Sequence, residues 1–133
     1  DAIFNSVCSR YLPTISRPHL APDWSGSRGR VETFFDAEEL ETLEQRLQMK
    51  SGEISPQNCV IYVCGLQDTI AKTITRLLNR GFIPNDKHIR DALGIPPETA
   101  ASLFFEQYDS SPILDLKNDA LVEELRQLYR PKS

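Results

Sequence analysis

No apolar run in this chain approaches the roughly 20 residues that a membrane-crossing helix needs, so no membrane partner is expected. No G-x-G-x-x-G is present, so the common dinucleotide fingerprint is missing. No G-x-S-x-G is present either, which removes the usual elbow of a serine hydrolase. Cysteine is scarce, with three residues. An odd count without scaffold density favours a reducing setting, so a cytoplasmic protein is expected. Cys59 and Cys64 lie five apart on one strand-like run and would point to opposite faces. His19 and His88 are far apart, and no C-x-x-C or H-x-x-x-H occurs, so no metal site is expected. A basic excess is missing too. Fifteen basic residues face 19 acidic ones, for a net charge of −4, which gives no support for nucleic acid or an anionic surface as partner. Internal repeats and low-complexity segments are absent.

What the chain does have is one domain's worth of alternating strands and helices. Its 133 residues suffice for a single core. Asp36, with Glu39 three residues on, reads as the capping box of a helix whose Leu40, Leu43 and Leu47 share a face. Ser51-Gly52 should end it. Residues 59–64 form an apolar run, as in a strand buried on both faces. Asp68 should cap the next helix, Ile70, Ile74, Leu77 and Leu78 should line its inner side, and Gly81 suits its C-terminal end. Residues 86–93 suit a short helix, stopped before Pro96-Pro97, and residues 102–108 an aromatic-rich strand. Beyond the Ser111-Pro112 turn, Asn118 should cap a final helix with Leu121, Val122, Leu125 and Leu128 on one stripe, packed onto the same domain. The stretch from Pro18 to Gly29 looks the most mobile. The expected fold class is α/β, an open and mostly parallel sheet flanked by helices.

Two segments carry the candidate chemistry. The first is the strand end Tyr62-Val63-Cys64-Gly65, which opens directly into Leu66-Gln67-Asp68. Ligands of open α/β sheets sit outside the carboxyl ends of the strands. A glycine there admits close approach, and a cysteine offers a small, polarizable surface. The helix start beside it favours an anion. The second is Ile15-Ser16-Arg17-Pro18, followed by the turn Trp24…Gly26…Arg28-Gly29-Arg30. It offers a hydroxyl and up to three guanidinium groups, whose planar fork matches phosphate oxygens.

These runs, in this order and with the late Phe104-Phe105-Glu106-Gln107-Tyr108, resemble the NADP-binding domain of the ferredoxin–NADP reductase family. The resemblance covers roughly residues 9 to 109 by motif order. It implies that residues 1–109 are a partial NADP-binding domain and residues 110–133 a C-terminal extension. It implies an oxidoreductase that moves electrons between NADPH and FAD, and on to ferredoxin or another redox or oxygenase partner. Ser16 and Arg17, with Arg28 or Arg30, would hold the 2′-phosphate of NADP. Cys64 and Gly65 would meet the nicotinamide, with Cys64 a contact surface and not a nucleophile. Leu66 and Gln67 would lie on the path to the adenosine. Glu106 would assist catalysis, and Tyr108 would stack on the flavin.

The chain departs from that family's pattern. The flavin domain and the Gly-Thr-Gly-x-Ala-Pro type loop that holds the pyrophosphate have no counterpart here. A fragment of a larger enzyme is therefore expected, with the FAD domain of that enzyme as a partner. An NADH-using reductase and a non-catalytic nucleotide-binding or interaction module are the alternative readings.

Overall fold

A computed structural model of the chain describes residues 9–129. Cys8 and the two ends of the expected domain ranges lie outside the described residues. The order is β1 (Thr14–Ile15), a 3-10 turn at Pro18–Leu20, β2 (Ser27–Arg28), a 3-10 turn at Val31–Phe35, then α1 (Leu40–Arg46) and β3 (Ile61–Gly65). It continues through α2 (Gln67–Leu78), α3 (Lys87–Leu93), β4 (Leu103–Gln107) and α4 (Asp119–Leu128).

The class is α/β with parallel pairing, but the strands do not form one sheet. β1 pairs with β2, and β3 pairs separately with β4. The first pair is short because prolines bracket it. Pro13 and Pro18 flank β1, and a proline has no N–H to donate to a ladder. The second pair is longer, running from Ile61 opposite Leu103 to Gly65 opposite Gln107. The outer edge of β4 is covered by residues 83–85, with Asn85 N–H donating to the Leu103 carbonyl at 3.0 Å.

The expected two-sided burial of β3 is overturned. Ile61 and Val63 pack against the core, whereas Tyr62 is 74% exposed and Cys64 is exposed. The α2 helix covers one face of the pair. On the other face the Tyr62 and Phe104 rings stack on each other at 5.2 Å.

The core is the apolar stripe of α2 packed by its neighbours. Ile70, Ile74, Leu77 and Leu78 are fully buried, together with Phe82 and Leu103. Leu40 and Leu43 of α1, Ile89 and Leu93 of α3 and Leu125 of α4 close around them. Each such side chain contributes about 1.5–3 kcal/mol by leaving water. In α4, Val122 and Leu125 are buried while Glu123, Glu124 and Arg126 are exposed, so the helix packs as its stripe requires.

Helix ends follow local chemistry in two cases and tertiary contacts in two others. The Asp86 and Asn118 side chains accept from the N–H groups of Ile89 and Leu121, capping α3 and α4. Gly81, just past α2, takes φ +87°. Asp36, expected as the α1 cap, sends its carboxylate to Arg76 Nε instead, at 2.5 Å. Asp68, expected as the α2 cap, lies inside the helix and pairs with Arg30 and Lys72. In both cases a cation brought up by the fold wins over a weaker bond to backbone. The α1 helix also stops before Ser51-Gly52. Gln48 turns to φ 58°, and Met49 N–H closes back on the Glu44 carbonyl at 2.8 Å.

Glu44 is the buried charge of α1, 1% exposed. Its Oε2 accepts from Ile54 N–H at 2.9 Å and from Arg80 Nη1 at 3.3 Å, while Arg80 also donates to the Ile54 carbonyl. Burial alone would push its pKa up. The Ile54 and Gly52 N–H groups and the Arg80 charge outweigh that and hold it below the usual carboxylate range.

Candidate functional site

The register of the longer sheet brings three of the expected residues together. Cys64 lies opposite Glu106, and both point to the exposed face. Tyr108 follows one step on, its N–H donating to the Gly65 carbonyl at 2.8 Å. The neighbouring Cys64, through hydrogen bonding first and then charge, with burial and Glu106 adding to the effect, holds the Tyr108 phenol above its ordinary pKa. Cys64, Glu106 and Tyr108 thus form one cluster at the carboxyl ends of two parallel strands.

Gly65 sits at the centre of this end. A Cβ built there would meet only Thr69, at 3.6 Å, which is ordinary contact. Packing inside the chain therefore does not demand a glycine. Its bare Cα leaves room for another molecule to approach, as a flat ring against the strand end would require. Leu66 beside it is 56% exposed.

Gln67 and the start of α2 are engaged otherwise than expected. The Gln67 N–H points at the Asp109 carboxylate, at 3.1 and 3.3 Å from its two oxygens. The chain's own carboxylate therefore takes the place expected for a ligand anion at this helix start. The side chains of Gln67 and Gln107 donate to the carbonyls of Ile113 and Ser111, tying down the segment after β4. Those ties form one wall of a cleft of about 890 Å³, which also touches Asp86, His88 and Lys117 but neither Cys64 nor the arginine loops.

The arginine segment is assembled by the short sheet. Ile15 pairs with Arg28, Gly29 N–H donates to the Ile15 carbonyl at 2.7 Å, and Thr14 Oγ1 donates to the Gly29 carbonyl at 2.9 Å. Gly29 adopts φ +119°, a conformation that favours glycine. Ser16 and Arg17 therefore leave β1 beside Arg28-Gly29-Arg30. The stretch expected to be mobile is built around Trp24. Its ring lies over Gly26, where a Cβ would come within 2.6 Å of it, and its Nε1 donates to the Ser27 carbonyl.

The three arginines have different surroundings. Arg17 is exposed, and its guanidinium has no hydrogen bond or ion pair among the described residues. Arg28 folds back, Nη2 donating to the Trp24 carbonyl at 2.9 Å. Arg30 reaches α2. Its Nε bonds the buried Glu32, and its Nη2 donates to Thr69 Oγ1 at 2.9 Å and lies 3.3 Å from Asp68. The Glu32 bond, then its charge, raise the Arg30 pKa further above its already high value, with Asp68 adding to the effect.

Thr69 is the neighbour shared by the two clusters, touching Arg30 through its hydroxyl and facing Gly65 through its methyl carbon. Neither Thr69 nor Glu32 was found by sequence reasoning, because no local spacing marks a threonine or a glutamate as the partner of a particular arginine. Asp109 was missed for the same reason, since its partner is 42 residues away.

Among the described residues no group of three or more His, Cys, Asp or Glu side chains could hold a metal ion, and no helix is long and apolar enough to cross a membrane. Comparison of the chain with protein-family models, with curated proteins and with solved structures yields no match.

Proposed function

We propose that this chain is the NADP(H)-binding part of a flavin-dependent reductase, serving electron transfer between NADPH and FAD and on to a ferredoxin-like or oxygenase partner. One observation carries the reading. Two motifs far apart in sequence, the arginine loop and the Cys64-Gly65 strand end, meet through Thr69. A dinucleotide with a phosphate monoester at one end and a flat ring at the other needs such a pair of sites.

In this reading Arg17 and Ser16 hold the 2′-phosphate. Arg17 is the best placed of the arginines, because its fork is not already taken up by a partner. Arg30 adds a second, more fixed charge, and Arg28 remains beside them across the short sheet. Gly65 admits the nicotinamide, Cys64 supplies a soft surface, and Leu66 and Gln67 flank the route to the adenosine. Glu106 and Tyr108 complete the face on which the ring would lie. Hydride chemistry in such an enzyme belongs to the nicotinamide and the flavin, while the protein contributes position and electrostatics.

The test compares NADP⁺ and NAD⁺ binding in the wild-type chain and in Arg17→Ala. A lost charge-assisted bond of about 2 kcal/mol corresponds to about 30-fold in affinity. The substitution should remove about that much of the preference for NADP⁺ and leave NAD⁺ binding unchanged. Equal effects on both nucleotides would refute the reading.

A further inference from the structure

Glu32 is an unusual residue to find buried. Its side chain is 2% exposed, and it sits in a short 3-10 turn with no secondary-structure need for a carboxylate. Only one of its oxygens is bonded, to Arg30 Nε. The other, Oε2, is buried with no partner among the described residues. A buried carboxylate with an orphaned oxygen is expensive, and an apolar residue of similar size would often be as good or better for stability. Residues that break such a rule concentrate where function requires them.

What Glu32 does is visible in Arg30. The guanidinium is anchored on two sides, by Glu32 at Nε and by Thr69 and Asp68 at Nη2. Neither anchor uses Nη1. With Nε and Nη2 held, the plane of the group is fixed, and Nη1 presents two N–H donors in a set direction from a side chain still 46% exposed. A free surface arginine would have to give up rotamer entropy to reach the same pose.

We propose that Glu32 is a positioning residue. It holds Arg30 so that Nη1 contacts one oxygen of a phosphate monoester, with Arg17 supplying the bidentate fork. This deepens the reading of the arginine loop as a phosphate site and rests on it. It also separates the arginines by role. Arg17 is the mobile clamp, Arg30 the pre-set contact, and Arg28, folded onto Trp24, supports the turn.

The experiment measures binding of 2′-phospho-AMP and 5′-AMP to the full chain as wild type, Glu32→Leu, Glu32→Gln and Thr69→Val, well below each melting temperature. Leucine removes the Nε anchor without burying a new polar group. Glutamine retains a carbonyl oxygen that accepts from Nε. Thr69→Val removes the second anchor and leaves Glu32 in place, so it answers the question even if Glu32→Leu folds poorly. The preference for the 2′-phosphate should fall about tenfold in Glu32→Leu and Thr69→Val, less than the loss of a whole charge-assisted bond because Arg30 itself remains. It should be largely kept in Glu32→Gln. A wild-type preference that survives in both Glu32→Leu and Thr69→Val overturns the positioning role and leaves the phosphate site standing. No preference in the wild type overturns the phosphate site and the positioning role together.

Discussion

Replacing Arg30 by alanine tests the ion pair that joins the arginine loop to α2. The substitution strands Glu32, which is 2% exposed and has no other bonded partner among the described residues. Removing one partner of a fully buried pair costs about 3–5 kcal/mol. Arg30 is 46% exposed, so water takes part of its place, and a loss of about 1–2 kcal/mol is the fitting expectation. For a chain of this size that is a fall of about 4–8 °C in Tm. The penalty belongs to the stranded carboxylate and not to the missing arginine. Arg30→Ala combined with Glu32→Leu should therefore recover most of the loss, giving a coupling of about 1 kcal/mol between the two sites. Urea unfolding of the four proteins of this double-mutant cycle, followed by circular dichroism, measures it. If Arg30→Ala costs nothing, or if Glu32→Leu adds its own loss with no recovery, Glu32 is not a buried charge that depends on Arg30.

Acid should weaken the fold through Glu44. Its folded pKa lies below its unfolded value, so its stabilising contribution is complete above the usual glutamate pKa of about 4.3 and is lost as pH falls through the folded value. Unfolding free energy measured between pH 3 and 7 should drop at the acid end, and Glu44→Gln should flatten that drop; a parallel curve would refute it. Arg80→Met leaves Glu44 its Ile54 N–H donor but no countercharge, and should cost about 1–3 kcal/mol at pH 7; an unchanged urea midpoint would count against the pair. Gly26→Ala puts a methyl group 2.6 Å from the Trp24 ring. It should cost about 1–3 kcal/mol and shift the tryptophan emission, and an unchanged spectrum and midpoint would mean that the ring does not lie over Gly26.

The elements legible from sequence were those whose signals are local. The 3.6-residue period of Ile70, Ile74, Leu77 and Leu78 gave α2 directly, and Asp86 and Asn118 marked the starts of α3 and α4, because the bonds that cap them span three residues. The strand run ending in Cys64-Gly65 was equally plain. Its exposure was not, because an apolar run does not tell how many of its faces are covered. Asp36 and Asp68 misled for a related reason. Each is a good local cap, and each found a cation 38 or more residues away, Arg76 and Arg30. In the candidate site, the motif order pointed to Ser16, Arg17, Arg30, Cys64, Gly65, Glu106 and Tyr108 as candidates. Their relation through Thr69, Glu32 and Asp109 could not, since it depends on where α2 lies against the two loops.

In the proposed reading the Ser16–Arg17–Arg30 loop recognises a phosphate monoester on a nucleotide. Calorimetric titration of the wild-type chain with 2′-phospho-AMP and, in parallel, 5′-AMP tests it most directly. A preference for the 2′-phosphate of about 2 kcal/mol or more is expected, the strength of charge-assisted hydrogen bonds to one phosphate. Equal affinity for the two nucleotides, or binding of neither, would contradict it.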